Sequence, residues 1–142
     1  MNDIDRAKQL LQNEGFTCVL CMGEQVYASH DTGISPMLDL LDSGTDCRGY
    51  AAADKIVGKA AAMLFVLAGA ASVYAEVLSE SGKQVLEHHG IPVSYGTLTE
   101  RIINRRGDGI CPMEAAVAET DDPSAAIAAV RSKREQLRKG VK

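Results

Sequence analysis

The sequence predicts an α/β domain with three layers, in which helices cover both faces of a mixed sheet. Short β-rich runs alternate with helical segments, in the order helix, hairpin, helix, strand, helix, strand and further helices. A long apolar stretch from Gly49 to Gly69 predicts a central helix that other elements cover on more than one side. With 142 residues the chain can bury a real core, and we expect residues 1–142 to form a single domain.

The composition excludes several classes of function. A net charge of −4 opposes a general nucleic-acid binder, which would present a basic surface. No apolar run reaches the roughly 18 residues that span a bilayer, and the acidic amino terminus does not resemble a signal peptide. We therefore expect a cytoplasmic protein that binds neither nucleic acid nor membrane. In that compartment its four cysteines are expected to be thiols.

The chain is expected to begin with an amphipathic helix. Asn2 or Asp3 can cap this helix, and Gly15 is placed to end it. Its apolar face is formed by Ile4, Ala7, Leu10 and Leu11. Such a helix packs on a larger element through that one face.

A hairpin follows this helix. Residues 16–22 and 25–29 are rich in β-formers and flank Gly23–Glu24, which predicts the turn. Cys18 and Cys21 have the spacing of a metal or redox motif. Because residues three apart on a strand point to opposite faces, we expect these two thiols to pack in the core instead.

Ser35–Pro36 predicts the start of the next helix, with serine as the cap and proline in the first helical position. Gly44 is placed to end it. We expect Met37 and Leu38 to leave apolar surface exposed. Together with the frequency of symmetric dimers, this suggests a homodimer.

The predicted central helix carries charge only near its amino-terminal end. Lys55 and Lys59 would lie four residues apart on one face, with Asp54 on the adjoining face. A helix start offers free N–H groups and positive dipole potential, which attract phosphate or carboxylate groups, and two lysines would strengthen that attraction. The alternative is a lysine–aspartate cluster at the rim of a core helix.

A strand, a helix and a second strand are predicted next. Residues 71–78 predict an interior strand that is parallel to its neighbour, because a helix connects the two. Ser81 and Gln84 have capping-box spacing and predict a helix that ends at Gly90. Residues 91–95 predict a further short strand.

His88 and His89 are adjacent at the end of that predicted helix. On a helix their side chains diverge by about 100°, so they are poor candidates to share a metal ion. We expect both to be surface histidines that interact favourably with the helix dipole.

Two helices are predicted on either side of residues 104–114. Thr97 and Glu100 have capping-box spacing, which predicts a short helix through Ile103. Asp122–Pro123 predicts the start of the last helix. The basic residues at its end complement the helix dipole.

Residues 104–114 form a second stretch of chemical interest. Pro112 in the first position of a helix places Cys111 at the cap, where the helix dipole and nearby arginines would favour the thiolate. Cys111 is therefore a candidate nucleophile, and the alternative is a structural or anion-contacting thiol. Arg105 and Arg106 either bind a phosphate or carboxylate group or are solvated loop charges.

Three blocks of the chain, 53–62, 73–79 and 103–114, resemble in sequence order a small family of uncharacterised bacterial proteins with a cytidine-deaminase-like fold. The resemblance extends over nearly the whole chain. It implies a three-layer α-β-α domain with a mixed sheet, and it implies no established reaction.

Zinc deaminases carry His-x-Glu at the start of the helix after the hairpin and Pro-Cys-x-x-Cys at the start of the next helix. On this resemblance the first motif would fall on Ala52–Asp54, where alanine replaces the ligand and only a carboxylate remains. The second would fall on residues 78–82, which contain no cysteine. We therefore expect no zinc, no other cofactor and no zinc-dependent deamination.

The leading hypothesis is a zinc-free, deaminase-like domain that binds a small anionic metabolite, nucleotides being one such class, where helix starts converge. The predicted ligand-binding residues are Lys55, Lys59, Ser79, Ser81, Asn104 and Arg105, and the predicted catalytic residues are Cys111 and Asp54. One alternative is an enzyme with Cys111 as nucleophile, in which the arginines stabilise developing negative charge. Another is a regulatory or scaffolding protein that acts through a protein interface.

Overall fold

The computed structural model describes residues 2–31, 33–103, 107 and 109–139. The amino-terminal half contains helix α1 (Asp3–Glu14), strands β1 (Cys18–Met22) and β2 (Gln25–Ser29), helix α2 (Ser35–Asp42), strand β3 (Ala51–Val57) and helix α3 (Lys59–Ala68). The carboxy-terminal half contains strand β4 (Ser72–Ser79), helix α4 (Glu80–His88), strand β5 (Val93–Thr99), and helices α5 (Pro112–Val117) and α6 (Pro123–Arg138).

The five strands form one mixed sheet in the order β2-β1-β3-β4-β5. Strand β1 is antiparallel to both β2 and β3, whereas β3, β4 and β5 are parallel to one another. The predicted α/β class and mixed sheet are confirmed. The parallel strands are joined by α3 and α4, because a parallel pair needs a crossover between its strands.

Successive side chains of β1 point to opposite faces of the sheet and belong to two separate cores. Val19 and Cys21 pack with α1 on one face, whereas Cys18 and Leu20 belong to the larger core that includes α2, α3 and α6. The expectation that Cys18 and Cys21 point to opposite faces is confirmed. The two thiols therefore cannot share a metal ion.

The predicted helix from Gly49 to Gly69 is wrong in its first half, because the stretch divides at Gly58 into β3 and α3. β3 lies between β1 and β4, and residues 51–54 are all buried. A strand that is buried on both faces shows no alternation of apolar and polar residues, so its pattern resembles that of a buried helix. As a result, Asp54 and Lys55 lie on a strand, and of the three charged residues only Lys59 is at the helix start.

The predicted short helix that begins at Thr97 is also wrong, because Thr97 lies inside β5, which continues to Thr99. The capping-box spacing of Thr97 and Glu100 arises by chance on a strand. Hydrogen bonding to β4 along the whole of β5 prevails over this local signal. The strand predicted for residues 91–95 is confirmed but starts two residues later and is longer.

Two helix caps differ from their predictions by one or two residues. Ser79, and not Ser81, caps α4: its Oγ accepts a hydrogen bond from the Gly82 N–H at 3.0 Å. Ile34 precedes the first turn of α2, so Ser35 already lies within the helix. The caps predicted at Asn2 and Asp122 are confirmed, and each side chain accepts a backbone N–H.

Met37 and Leu38 are buried, with 2% and 0% of their surface exposed, so the expectation that they offer a free apolar surface is wrong. α2 is amphipathic and directs these side chains into the larger core. Its outer side is held by α6, where the Arg134 guanidinium lies 2.6 Å from the Asp39 carboxylate and 3.4 Å from that of Asp42. A homodimer therefore needs a different surface.

Within the described part of the chain, none of the helices has the length and apolar character needed to cross a membrane.

Candidate functional site

The starts of α3 and α4 meet at one edge of the sheet, because β3 and β4 are parallel and end side by side. The approach is close at Gly82, where an added Cβ would lie 3.0 Å from both the carbonyl carbon and the carbonyl oxygen of Gly58. In open α/β sheets, ligands bind outside the carboxyl ends of the strands. This edge is therefore the candidate site, and we call it the helix-start edge.

The amino terminus of α3 already binds a carboxylate, which is supplied by α5. Glu114 accepts hydrogen bonds from the backbone N–H of Lys59 at 2.7 Å and of Ala60 at 2.8 Å. This position suits a negative charge because the first N–H groups of a helix have no partner within it. An external anion cannot use these two donors while Glu114 occupies them.

Gly58 makes this contact possible because it has no side chain. A Cβ at position 58 would lie 2.1 Å from Glu114 Oε1. The backbone of Gly58 is extended, so any residue could adopt it and the requirement for glycine is steric. The glycine therefore gives the Glu114 carboxylate room to reach the helix start.

Lys59 turns its side chain towards the segment that joins α5 to α6. Its Nζ donates to the Ala118 carbonyl at 3.3 Å and lies 3.4 Å from the Asp121 carboxylate. Only 14% of the Lys59 side chain is exposed, whereas that of Asp121 is fully exposed. The lysine is thus held in place, while its acidic partner is free to turn into solvent.

A groove of about 410 Å³ opens beside Lys59, between α3 and α4. Its lining residues are Lys59, Met63, Ser81, Gln84, Val85, His88, His89 and Asp121. Two of the predicted ligand-binding residues, Lys59 and Ser81, therefore lie in one depression. Its wall combines hydrogen-bond donors with the apolar surface of Met63 and Val85.

Gln84, His88 and His89 are groove residues that the sequence did not identify as ligand-binding. Adjacent positions on a helix argue against the two histidines as a metal pair, and the expectation was that both are surface histidines that interact with the helix dipole. In the structure their rings meet edge to face with centroids 5.2 Å apart, and both border the groove. Ser81 and Gln84 are three residues apart, and Gln84 and His88 are four apart. This spacing is typical of residues that share one face of a helix, and it was the available signal in the sequence.

Asp54 and Lys55 do not line the groove. Asp54 is buried, with 6% of its surface exposed, and burial raises the pKa of its carboxyl group well above the ordinary value. The backbone N–H groups of Lys55 and Ile56 act in the opposite direction. The Lys55 ammonium lies 3.7 Å from Glu76 on the neighbouring strand. The catalytic role predicted for Asp54 and the binding role predicted for Lys55 stay predictions.

Ser79 lies at the helix-start edge but is fully buried. Its Oγ caps α4 and is 3.2 Å from the Ser81 Oγ. A ligand in the groove would therefore reach the Ser81 hydroxyl first, with Ser79 behind it. Asn104 and Arg105, the other predicted ligand-binding residues, fall outside the described residues.

Cys111 occupies the cap position of α5, as predicted, and makes no capping hydrogen bond through its side chain. Cys18, Cys21 and Cys47 are buried, and burial raises the pKa of all three thiols. Cys111 is partly exposed. It is therefore the most accessible of the four thiols.

A second depression, of about 340 Å³, lies between the hairpin and α2. Its lining includes Tyr27, Asp31 and Asp39, and it contains none of the predicted site residues. In the described ranges, no group of three or more His, Cys, Asp or Glu side chains is placed to hold a metal ion.

The sequence has relatives of known structure. The family model described as TM1506: Domain of unknown function (DUF1893) matches residues 6–133. The chain is similar to the crystal structure of a DUF1893 family protein (TM1506) from Thermotoga maritima, with 27% sequence identity and a TM-score of 0.86. That similarity covers 93% of this chain and 90% of the other. No curated protein matches the chain.

Proposed function

The chain belongs to the DUF1893 family, a domain of unknown function, and from the geometry of its helix-start edge we propose that it binds a small anionic metabolite. The observation that carries the proposal is the groove between α3 and α4. It brings Lys59 of α3 and Ser81 of α4 together with Gln84, His88 and His89.

The groove offers the chemistry of an anion site. Lys59 supplies a positive charge, Ser81 and Gln84 supply a hydroxyl and an amide, and the two imidazole rings can donate hydrogen bonds. Its volume of about 410 Å³ lies within the range of roughly 300–1,000 Å³ that is usual for small-molecule sites. The apolar wall of Met63 and Val85 and the two imidazole rings lie beside the charged groups. This combination suits a flat ring that carries a phosphate, as in a nucleotide.

Among the described residues, Asp121 is the one carboxylate in the groove lining, and it lies 3.4 Å from the Lys59 ammonium. A phosphate would compete with it for the lysine. Because the Asp121 side chain is fully exposed, it can move into solvent at little cost, and surface ion pairs contribute only about 0–1 kcal/mol. The Ala118 carbonyl then still accepts a hydrogen bond from the ammonium.

The deaminase-like character of the domain is part of the same proposal. The comparison with zinc deaminases was placed on Ala52–Asp54, which lie inside β3 and not at a helix start. The helices that follow the hairpin are α2 and α3. The segments to compare are therefore the starts of these two helices, at Ile34–Pro36 and Val57–Lys59. Neither segment contains a histidine or a cysteine. A zinc-free binding domain agrees with both placements.

Calorimetric titration tests the binding proposal. The probes are cytidine and adenosine monophosphate, glucose 6-phosphate and inorganic phosphate, with the uncharged nucleosides as reference. We expect at least one phosphorylated probe to bind and its uncharged parent to bind more weakly. The proposal fails if none of the phosphorylated probes binds.

Variants locate the binding site. Lys59→Met and Gln84→Ala should each weaken binding about tenfold, which corresponds to roughly 1.4 kcal/mol. Lys83→Met is the matched control, because Lys83 pairs with Glu87 on α4 and does not line the groove. An equal loss of affinity in Lys83→Met would assign the effect to overall charge and contradict the site.

Catalysis by Cys111 is a second candidate, and its accessibility among the four thiols supports it. Iodoacetamide labelling followed by mass spectrometry tests this candidate, with Cys111→Ser as control. We expect rapid modification at Cys111 alone and none at that position in Cys111→Ser. Labelling of Cys111 no faster than that of free cysteine would count against an activated nucleophile.

A further inference from the structure

Within the described part of the chain, the sheet ends on one side in a strand whose outer edge is unpaired. Among the described residues, β5 pairs only with β4, and residues 94–98 are all exposed. Tyr95 and Leu98 each expose 40% of their surface. A sheet edge of this kind presents unpaired N–H and C=O groups that another strand can join.

The direction of these backbone groups follows from the pairing with β4. The Val73 N–H donates to the Pro92 carbonyl. In a parallel ladder, alternate residues bond to the same neighbour, so positions 94, 96 and 98 face β4 as position 92 does. Positions 93, 95, 97 and 99 therefore direct their N–H and C=O groups away from the sheet.

The sequence of β5, Val-Ser-Tyr-Gly-Thr-Leu-Thr, contains no charged residue and no proline. Charged residues make up 24% of the whole chain, and proteins normally use lysine or proline to protect an exposed edge. The other edge strand, β2, is also uncharged but has five residues where β5 has seven. The longer edge offers more backbone hydrogen bonds.

An uncharged strand is complementary to a copy of itself. When two identical strands pair around a two-fold axis, a charged strand faces a strand with the same charges and is repelled by it. An uncharged strand avoids this repulsion. A charged strand of another protein would find no countercharge on β5. These features favour a second copy of this chain over an unrelated partner.

We propose that the protein forms a homodimer in which the β5 strands of two copies pair antiparallel, so that one sheet runs through both. The two-fold axis lies at Gly96. The outward positions 95 and 97 then exchange backbone hydrogen bonds, and Ser94 lies opposite the partner's Leu98 in a non-hydrogen-bonded pair.

The proposal concerns a different surface from the groove, because no β5 residue lines the groove. If no ligand binds, the dimer proposal therefore still stands. If no dimer forms, the binding proposal still stands.

Sedimentation analysis at several protein concentrations tests the assembly. We expect wild-type protein to reach the mass of two chains, and Tyr95→Lys and Leu98→Lys to remain monomeric with an unchanged far-ultraviolet spectrum. Val26→Lys is the control, since Val26 is exposed to a similar degree on the other edge strand. A wild-type monomer at all concentrations, or loss of the dimer in Val26→Lys alone, would overturn the proposal.

A cross-link tests the register. In a Cys111→Ser background, Ser94→Cys and Leu98→Cys chains are mixed and oxidised. The non-hydrogen-bonded pair brings Cα atoms to about 4.5 Å, which a disulfide can bridge. We expect a disulfide-linked heterodimer from this mixture and none from a mixture of Ser94→Cys with Val26→Cys. Equal cross-linking in both mixtures would contradict the register.

Discussion

The Glu114 carboxylate binds the backbone N–H of Lys59 at 2.7 Å, across 55 positions of sequence. With the second bond to Ala60, this contact joins α5 to the start of α3. It satisfies donors that a helix cannot satisfy internally, and it places a negative charge where the helix dipole favours one. The helix start was expected to bind an external anion, but a side chain of the same chain occupies it.

Glu114→Ala should lower the free energy of unfolding by about 2 kcal/mol, because it removes a charged acceptor from two backbone donors. Urea denaturation measures the loss. Glu119→Ala, which removes an exposed glutamate just beyond the same helix, should change stability by less than about 0.5 kcal/mol. Equal effects of both substitutions would show that Glu114 acts only through net charge.

Gly58→Ala should displace the Glu114 carboxylate, since the new Cβ would lie 2.1 Å from Oε1. We expect a loss of about 1–2 kcal/mol in wild type and a much smaller loss in a Glu114→Ala background. A double-mutant cycle measures this coupling. Additive effects would mean that Gly58 is required for a reason unrelated to Glu114.

Asp54 should make the protein less stable as pH rises through the acidic range. Burial raises the pKa of its carboxyl group in the folded state above the value of about 3.9 in an unfolded chain. The folded state then binds more protons than the unfolded state between these two pKa values. The contribution of Asp54 to stability is fully present below about pH 4 and is lost as pH rises through the folded-state pKa.

Asp54→Asn tests this dependence, because the amide keeps the shape and does not titrate. Relative to wild type, the variant should gain stability as pH rises from about 4 to neutral. Urea denaturation at a series of pH values measures the difference. Asp31→Asn, at an exposed position, is the control for the loss of one negative charge. A constant difference between Asp54→Asn and wild type would contradict the prediction.

Arg134 should stabilise the contact between α6 and α2. Its side chain is 14% exposed and reaches the carboxylates of both Asp39 and Asp42. We expect Arg134→Met to cost about 1 kcal/mol at low salt and less at 1 M salt, where the Debye length is only about 3 Å. Arg138→Met, an exposed position on the same helix, is the control and should be neutral.

The elements that sequence alone determined are those with local signals. Asn2 and Gly15 mark both ends of α1 through a side-chain cap and a left-handed residue with φ of 72°. Gly23–Glu24 marks the hairpin turn, where Met22 pairs with Gln25. Asp122–Pro123 marks the start of α6. In each case a few neighbouring residues specify the backbone, so no distant contact is needed.

Only the tertiary structure decided the candidate site, because the contacts of the site join distant parts of the chain. Residues 51–57 are a strand only because β1 and β4 hydrogen-bond to them on either side. That pairing moved Asp54 into the core and left Lys59 alone at the helix start. The same packing brought α5 to α3 and α4 to α3, which placed Glu114 on the helix start and the histidines beside Lys59. Residue types and spacing do not record such contacts, since they depend on how the helices pack on the sheet.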